Sequence, residues 1–221
     1  MHINKLVSAA ALAAGLALSG FSAAHADVLT FEGNICNGGA ACTNYAPIDQ
    51  SYGDTALVNV TTIYDVVNAP AQAMEYWADF YSGMNDVAFG SGGNAGLNID
   101  PIAGYKVTLN GFDIGSWPNV DRYSSWRVFD GFGNLLGSSG IDPILISGAS
   151  PTHVGSFYST NGIHIEFGPD SYDVGIDNVD FTVSAIRGGA VPEPATWAML
   201  IVGMGGVGAM MRRRRGTLAA A

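Results

Sequence analysis

The sequence predicts an all-β fold and, within that class, a single β-sandwich. Short β-branched or alternating apolar runs recur along residues 27–190, whereas apolar residues at helical spacing are nearly absent. Gly, Pro, Asn and Asp separate these runs, as turns between strands require. The 164 residues suffice for one hydrophobic core of ordinary size. Strands are predicted at residues 28–31, 56–66, 75–81, 105–112, 126–130, 155–159, 163–167 and 174–183.

Residues 163–167 and 179–183 alternate strictly between apolar and polar side chains, so each strand should bury one face and expose the other. Residues 126–136 predict a tight hairpin, with Gly131 to Asn134 as its turn. Loops are predicted near the glycine-rich segments 38–39 and 90–96.

The N-terminus has the parts of a secretory signal peptide. A positive start precedes an alanine-rich apolar core at residues 6–18, and the small residues Ala24 and Ala26 form a cleavage site. We predict residues 1–26 as the signal peptide, so that the mature chain begins at Asp27. An uncleaved anchor is the alternative, but the apolar core is short and the cleavage site is well formed.

The C-terminus contains a second three-part segment. A rigid Pro-Glu-Pro stops regular structure, the uncharged residues 195–211 can enter lipid, and four arginines resist crossing it. The apolar stretch has 17 residues, at the lower limit of the ~17 to 25 that span a bilayer. Such a weak anchor suits a segment that is later removed. The residues that carry this pattern are Pro192, Glu193, Pro194, Arg212, Arg213, Arg214 and Arg215.

This pattern closely resembles the PEP-CTERM sorting signal of exported proteins of Gram-negative bacteria. The resemblance implies a sorting signal at residues 191–215 with one transmembrane helix, followed by a tail at 216–221. It also implies that an exosortase, a membrane-embedded cysteine transpeptidase, recognises the Pro-Glu-Pro and processes the chain as its substrate. The expected route is a transient inner-membrane intermediate and then the cell surface or the extracellular space. The sequence departs from the commonest pattern at Met204, where an aromatic residue is more usual, and in the tail.

The domain between the two segments is strongly acidic. Residues 27–190 contain 15 Asp and 3 Glu against 4 Lys and Arg, a net charge of −14, compared with −10 for the whole chain. The negative electrostatic potential of such a domain repels nucleic acid and anionic lipid and attracts divalent cations. The excess of Asp also has a simpler cause, because Asp favours turns. Because the acidic domain repels nucleic acid, nucleic-acid binding is not an expected function.

Cys36 and Cys42 are the two cysteines of the chain. Export to an oxidising compartment predicts a disulfide between them, which would close a small loop. Their spacing is not Cys-x-x-Cys and no further cysteines accompany them, so a metal or redox role is not expected.

Two motifs lie at the edges of the domain: Leu-Thr-Phe-Glu-Gly at residues 29–33 and Val-Gly-Ile-Asp-Asn-Val-Asp-Phe at residues 174–181. Together they resemble the galactose-binding-like jelly roll of many carbohydrate-binding modules. The resemblance implies adjacent first and last strands and a structural calcium held partly by Glu32 and Asp177. Calcium binds six to eight oxygen ligands, so these two carboxylates could contribute to a calcium site but could not complete it. Nearby candidate ligands are Asp170, Asp173 and Asp180, and the alternative is that Glu32 and Asp177 act only locally.

A Pro-bearing loop provides the candidate ligand-binding residues Trp117, Asn119, Asp121 and Arg122. An aromatic face can stack on a pyranose while the amide, acid and guanidinium bind its hydroxyls. The same residues could equally close one end of the sandwich, and that structural role is favoured for Trp117.

We expect a structural or carbohydrate-binding protein that is not an enzyme and requires no cofactor beyond the calcium considered above. The expected partners are the exosortase during export and extracellular polysaccharide afterwards. One alternative is a secreted glycoside hydrolase-like enzyme, for which Glu166 is the first candidate acid. Another is a permanently membrane-anchored adhesion protein with an unprocessed tail. Only His153 and His164 remain after signal removal, and the mature domain has no Gly-x-Ser-x-Gly nucleophile motif.

Overall fold

The computed structural model describes residues 24–186 together with Ile201 and Met204. Between residues 24 and 186 the regular elements are strands in two antiparallel sheets, which confirms the predicted all-β sandwich. In chain order they are β1 (His25–Leu29), β2 (Val58–Ile63), β3 (Glu75–Trp77), β4 (Val87–Phe89), β5 (Ala95–Pro101), β6 (Tyr105–Ser116), β7 (Arg122–Asp130), β8 (Leu135–Ser138), β9 (Ile144–Ile146), β10 (Thr152–Val154), β11 (Phe157–Ser159), β12 (Ile163–Gly168) and β13 (Val174–Ala185).

The larger sheet has seven strands in the order β10-β6-β13-β4-β3, with β1 also pairing with β13 and β11 with β6. The twelve-residue strands β6 and β13 form its centre. The first and last strands are adjacent, since β1 pairs with β13 from His25↔Val183 to Leu29↔Val179. The register between β13 and β6 shifts after Asp177, where Asn178 has a φ of 51°.

The smaller sheet has six strands in the order β2-β5-β12-β7-β8, with β9 also pairing with β7. Strand β12 lies in the middle of this sheet, so its residues 163–167 have a neighbour on both sides. His164 lies opposite Asn98 of β5 and Phe129 of β7. Glu166 lies opposite Gly96 and Arg127 in the same way. This central register assembles the candidate site described below.

The hydrophobic core lies between the two sheets. Alternate residues of the long strands point into it, as the period-two pattern predicts. Full burial of a Val, Leu, Ile or Phe side chain contributes about 1.5 to 3 kcal/mol to the folding free energy, compared with leaving it exposed. Core residues of the larger sheet include Val107, Leu109, Phe112, Phe181 and Val183, and those of the smaller sheet include Leu97, Ile99, Val128, Ile165 and Phe167.

All eight predicted strands overlap an observed strand, whereas β4, β5, β9 and β10 were not predicted. Three of these four have only three residues, which is too short for a periodic signal. The loop predicted at 90–96 is wrong at its end, because β5 begins at Ala95 and Gly96 pairs with Glu166. The strand predicted at 75–81 ends at Trp77, and Phe80 beyond it has a φ of 69°.

The predicted hairpin between β7 and β8 is confirmed. The Asp130 N–H donates to the Asn134 carbonyl at 2.9 Å, and the Asp130 carboxylate accepts from the backbone of Phe132 and Asn134. These hydrogen bonds hold the turn. They also lower the pKa of Asp130, chiefly through the Asn134 side chain, because they stabilise its ionised form.

The predicted disulfide between Cys36 and Cys42 is present, with Cα atoms 5.2 Å apart. It closes a small loop in which the Cys36 N–H donates to the Ala40 carbonyl at 3.1 Å. Cys36 is fully buried, so the cross-link ties this loop to the core.

Several predicted features lie outside the described residues: most of the signal peptide, the linker at 187–190, the Pro-Glu-Pro and the four arginines. Strand β1 begins two residues before the predicted cleavage point, so removal of residues 1–26 would leave three of its five pairs with β13. The domain boundaries at 26, 190 and 215 stay predictions. Within the described part of the chain, no helix has the length and apolar character to cross a membrane.

Candidate ligand-binding groove

The outer face of the smaller sheet carries polar side chains on neighbouring strands. In β12 the residues Ile163, Ile165 and Phe167 are buried in the core, while His164 and Glu166 point outward and are half-buried. The outward residues of the flanking strands include Asn98 and Asp100 of β5 and Arg127 and Phe129 of β7. The strand alternation therefore brings residues up to about 70 positions apart in sequence onto one surface.

A chain of hydrogen bonds crosses this surface. The Asn98 Nδ2 donates to Thr61 Oγ1 at 3.3 Å, and His164 Nδ1 lies 2.5 Å from Asn98 Oδ1. His164 Nε2 lies 3.1 Å from Glu166 Oε1, and Arg127 Nη2 donates to Glu166 Oε2 at 2.6 Å. Both ring nitrogens of His164 thus face oxygen atoms of neighbouring side chains.

Glu166 is held in its ionised form by these neighbours. The hydrogen bond from His164 and the charge of Arg127 lower the pKa of Glu166, although burial acts in the opposite direction. A lowered pKa suits an acceptor of hydrogen bonds and does not favour the general-acid role considered for Glu166 from sequence. The arrangement leaves a fixed pattern of acceptors and donors on the sheet.

Gly96 makes room for this arrangement. A Cβ atom at Gly96 would lie 2.9 Å from Cε1 of His164 and 3.0 Å from the Ile165 carbonyl oxygen. Such distances are too short for a side chain, so a glycine at this position allows the imidazole to lie across β5. Glycine inside a strand often marks such a close approach.

The surface is concave. A cavity of about 450 Å³ is bordered by polar and aromatic residues of β5, β7 and β12, and a second of about 250 Å³ adjoins it at Glu166. We call the two together the groove. The residues of the larger cavity are Asn98, Asp100, Phe129, Asp130, Gly131, Gly133, Ile163, His164 and Glu166.

Two exposed apolar side chains mark the rim of the groove. Phe132 lies between the groove-lining residues Gly131 and Gly133 at the hairpin tip and is 81% exposed. Ile141 borders the smaller cavity and is fully exposed. In contrast, Phe129 inside the groove is covered, because the Arg127 guanidinium lies 5.7 Å from its ring centre. Phe132 therefore exposes an aromatic ring at the hairpin tip that borders the larger cavity.

Sequence reasoning identified His164 and Glu166 individually but missed the groove. Asn98 and Asp100 were not predicted as site residues, since β5 itself was not predicted, and Phe132 was predicted only as part of the hairpin turn. The outward positions of alternating strands provide the signal that could have found them, once the strand order is known.

The loop that the sequence indicated for ligand binding makes contacts within the protein. Asn119 Oδ1 accepts from the Gly83 N–H at 3.2 Å, and Asp121 Oδ1 accepts from the Gly148 N–H at 2.9 Å. The polar groups of this loop therefore fix neighbouring loops. A ligand role for these side chains stays a prediction.

Trp117 and Arg122 of the same loop also have partners within the protein. The Trp117 ring packs edge to face on Trp77, with centroids 5.8 Å apart. Arg122 Nη1 lies 2.8 Å from Asp173 Oδ2, and its Nε donates to the Trp117 carbonyl at 3.1 Å. The two buried indole N–H groups have no hydrogen-bond partner among the described residues. They lie in an aromatic cluster that closes this end of the sandwich.

Glu32 and Asp177, the residues predicted to hold calcium, lie close enough to interact electrostatically. Asp177 is only 6% exposed. Burial, together with the negative charges of Asp113, Glu32 and Asp86, raises its pKa to about 7. Among the described residues, no three His, Cys, Asp or Glu side chains are grouped to hold a metal ion. Calcium would depend on carbonyl and water oxygens here, and its binding stays a prediction.

Comparison with known proteins identifies the C-terminal segment. Residues 190–215 match the PEP-CTERM protein-sorting motif, which confirms the resemblance found in the sequence. The match implies processing by an exosortase and a membrane-anchored export intermediate. No curated protein matches the chain.

Solved structures similar to this chain include carbohydrate-binding and carbohydrate-active proteins. A pectin-binding carbohydrate-binding module is 16% identical, with a TM-score of 0.30 and coverage of 62% of this chain and 95% of that chain. The CBM51-2 and INT domains of Clostridium perfringens ZmpB are 10% identical, with a TM-score of 0.29 and coverage of 61% and 29%. A GH29 fucosidase of Ruminococcus gnavus is 13% identical, with a TM-score of 0.28 and coverage of 59% and 26%. This chain thus spans under a third of the last two proteins, and no activity or ligand is assigned from these similarities.

Proposed function

We propose that this is an exported, exosortase-processed protein of the cell surface or extracellular matrix that binds polysaccharide through the groove without catalysis. The observation that carries the binding proposal is the groove itself, with its hydrogen-bonding side chains and an exposed aromatic ring at its rim. The PEP-CTERM motif at 190–215 supports the location, because it implies sorting through the membrane.

The chemistry of the groove suits a sugar. A cavity of about 450 Å³ falls within the ~300 to 1,000 Å³ typical of small-molecule sites. Asn98 keeps a second Nδ2 hydrogen, and the Glu166 oxygens keep lone pairs, for the hydroxyl groups of a sugar. Phe132 offers a free ring face on which the apolar side of a pyranose can stack. The two cavities share Glu166, so the groove offers space for more than one sugar unit.

A hydrolase is the second candidate, because one observation favours it. Asp100 and Glu166 line the same cavity, and their pKa values move in opposite directions. Burial raises the pKa of Asp100, whereas His164 lowers that of Glu166. Opposite shifts of two carboxyl groups are typical of acid–base pairs in glycosidases. Release of sugar that disappears in Glu166→Gln would support this candidate over the binding module.

Removal of the Phe132 ring at the rim of the groove is expected to weaken polysaccharide binding. Phe132→Ala should reduce affinity for a bound polysaccharide about tenfold, since aromatic contacts of this kind contribute on the order of 1 kcal/mol or more. Glu166→Gln should weaken binding further, because it replaces one of the two carboxylate oxygens with an NH2 donor, so the side chain can no longer accept from both His164 and Arg127. Affinity electrophoresis across a panel of neutral, amino and acidic polysaccharides measures both effects.

Phe80→Ala is the matched control, because Phe80 is 53% exposed but lies between β3 and β4 of the other sheet. It should leave binding unchanged. Equal losses in Phe80→Ala and Phe132→Ala, or binding that survives Glu166→Gln and Phe132→Ala together, would reject the groove as the site.

Processing at the C-terminus is expected to require the exosortase. In a host that has the enzyme, the mature protein should begin at Asp27 and end near Pro194, whereas a host without it should retain Arg212 to Arg215. Intact mass and terminal peptide mapping of protein from medium and envelope distinguish the two forms. Persistence of the arginines in both hosts would favour the permanent membrane anchor.

A further inference from the structure

The groove has more negative than positive charge. Three carboxylates, Asp100, Asp130 and Glu166, line its larger cavity. Arg127 is engaged by Glu166 at 2.6 Å and lies over the Phe129 ring, so it is not free to receive an anionic ligand. The domain as a whole, these residues included, has a net charge of −14, which strengthens the negative potential in a concave site.

The three carboxylates differ in what they already bind. Asp130 uses both oxygens to hold the hairpin turn through Phe132 and Asn134. Glu166 uses one oxygen for His164 and the other for Arg127. In the described part of the chain, no donor hydrogen-bonds to the Asp100 carboxylate and no side chain forms an ion pair with it; the nearby His164 ring acts on it electrostatically but has both nitrogens directed at other oxygens. Asp100 is therefore the carboxylate that remains available in the groove.

The position of Asp100 is fixed by a glycine turn. A Cβ atom at Gly162 would lie 2.7 Å from Asp100 Oδ1, so the carboxylate packs against the turn before β12. Gly162 also accepts from the Gly131 N–H at 3.0 Å, which places this turn beside the hairpin that carries Phe132. The free carboxylate and the free aromatic ring thus belong to the same side of the groove.

From these observations, and resting on the proposed function, we infer that the groove selects a polysaccharide that carries protonated amino groups, with Asp100 as the partner of a sugar ammonium. An ammonium beside Asp100 would form a charge-assisted hydrogen bond that no protein group supplies. Burial already raises the pKa of this carboxyl, and a bound cation would favour its ionised form. The other groove residues would bind hydroxyls.

The same charges disfavour an acidic sugar. A uronate carboxylate would lie among three protein carboxylates without a free cation to receive it, and like charges this close repel. A neutral sugar would leave Asp100 without a partner but would not be repelled. The expected order of affinity is therefore amino sugar, then neutral or N-acetylated sugar, then uronate.

The test compares four soluble probes by titration calorimetry with the mature protein recovered from an exosortase-containing host. They are a glucosamine tetrasaccharide with free amines, its N-acetylated counterpart, a tetragalacturonate and tetralysine. At mildly acidic pH, the free-amine sugar should bind about tenfold tighter than the N-acetylated one, as expected for an added charge-assisted hydrogen bond. Added salt should reduce this preference, because the contact is electrostatic.

Asp100→Asn is the deciding variant, and Asp79→Asn, on the other sheet between β3 and β4, is its control for net charge. Asp100→Asn should remove the preference for the free amine and keep affinity for the N-acetylated sugar, whereas Asp79→Asn should keep both. Equal affinity for the two sugars in the unmodified protein would overturn the inference and leave the proposed function standing. Tetralysine binding as tight as the amino sugar would also overturn it. Absence of binding to all three saccharides would reject the proposed function itself.

Discussion

Asp177→Asn is expected to stabilise the calcium-free protein at neutral pH. The pKa of Asp177 is raised to about 7 in the folded chain, whereas an unfolded Asp titrates near its ordinary value of about 3.9. The folded state therefore holds the proton more tightly, and stability is lost as pH rises from about 4 to about 7. Above that window the loss is on the order of 4 kcal/mol. Asn is neutral throughout, so the variant should avoid this loss.

Denaturant unfolding at several pH values measures the difference between the two proteins. Below about pH 4 the curves should nearly coincide, because Asp177 is protonated in both states, and the gap should widen toward neutral pH. Other groups that titrate in the same range are present in both proteins, so the difference between them reports on the Asp177 carboxyl alone. A constant difference between the two proteins at all pH values would contradict the assignment.

Calcium provides a separate test of the same residue. If calcium binds at Glu32 and Asp177, it neutralises the buried carboxylate, and the Tm of the unmodified protein should rise with calcium concentration at neutral pH. A concentration of about one hundred times the Kd would add ~2.7 kcal/mol to the unfolding free energy. Asp177→Asn should lose this response. The absence of a calcium effect in the unmodified protein would remove calcium from the description of this site.

The sequence predicted the sheets better than the site. Apolar and polar residues alternate in 163–167 because the apolar side chains of β12 must face the core. This pattern lies within one strand, so it can be recognised in the sequence. The groove depends instead on which strands are neighbours. Asn98 and His164 are 66 residues apart and share a hydrogen bond only because β5 pairs with β12. A pattern along the chain does not contain this pairing.

Glycines account for one error in the strand predictions, the loop expected at residues 90–96, and for part of what the structure adds. The glycine-rich residues 90–96 predict a loop because glycine is conformationally free. Gly96 lies instead in β5, where the absence of a side chain leaves space for the His164 ring. The hairpin was predicted correctly, since Gly131 to Asn134 act locally. What the sequence did not show is that Gly131 also contacts a second turn.

Gly131→Ala is expected to destabilise the protein far more than Gly133→Ala, although the two glycines belong to the same turn. A Cβ atom at Gly131 would lie 1.8 Å from the carbonyl oxygen of Asn161, a backbone atom that no side-chain rotation can move. The hairpin and the turn before β12 would have to separate, which should cost about 3 kcal/mol or more. Denaturant unfolding of each variant measures the cost.

Gly133 provides the matched control. It has a φ of +82° and nothing within 4 Å of a Cβ atom, so alanine there meets strain but no clash, and should cost only about 1 kcal/mol. Separation of the two turns in Gly131→Ala would also break the Gly131 N–H to Gly162 hydrogen bond and move Phe132 relative to Asp100. Sugar affinity should therefore fall in Gly131→Ala even where the variant is folded. Similar unfolding free energies for the two variants would show that the turns are not held together as described.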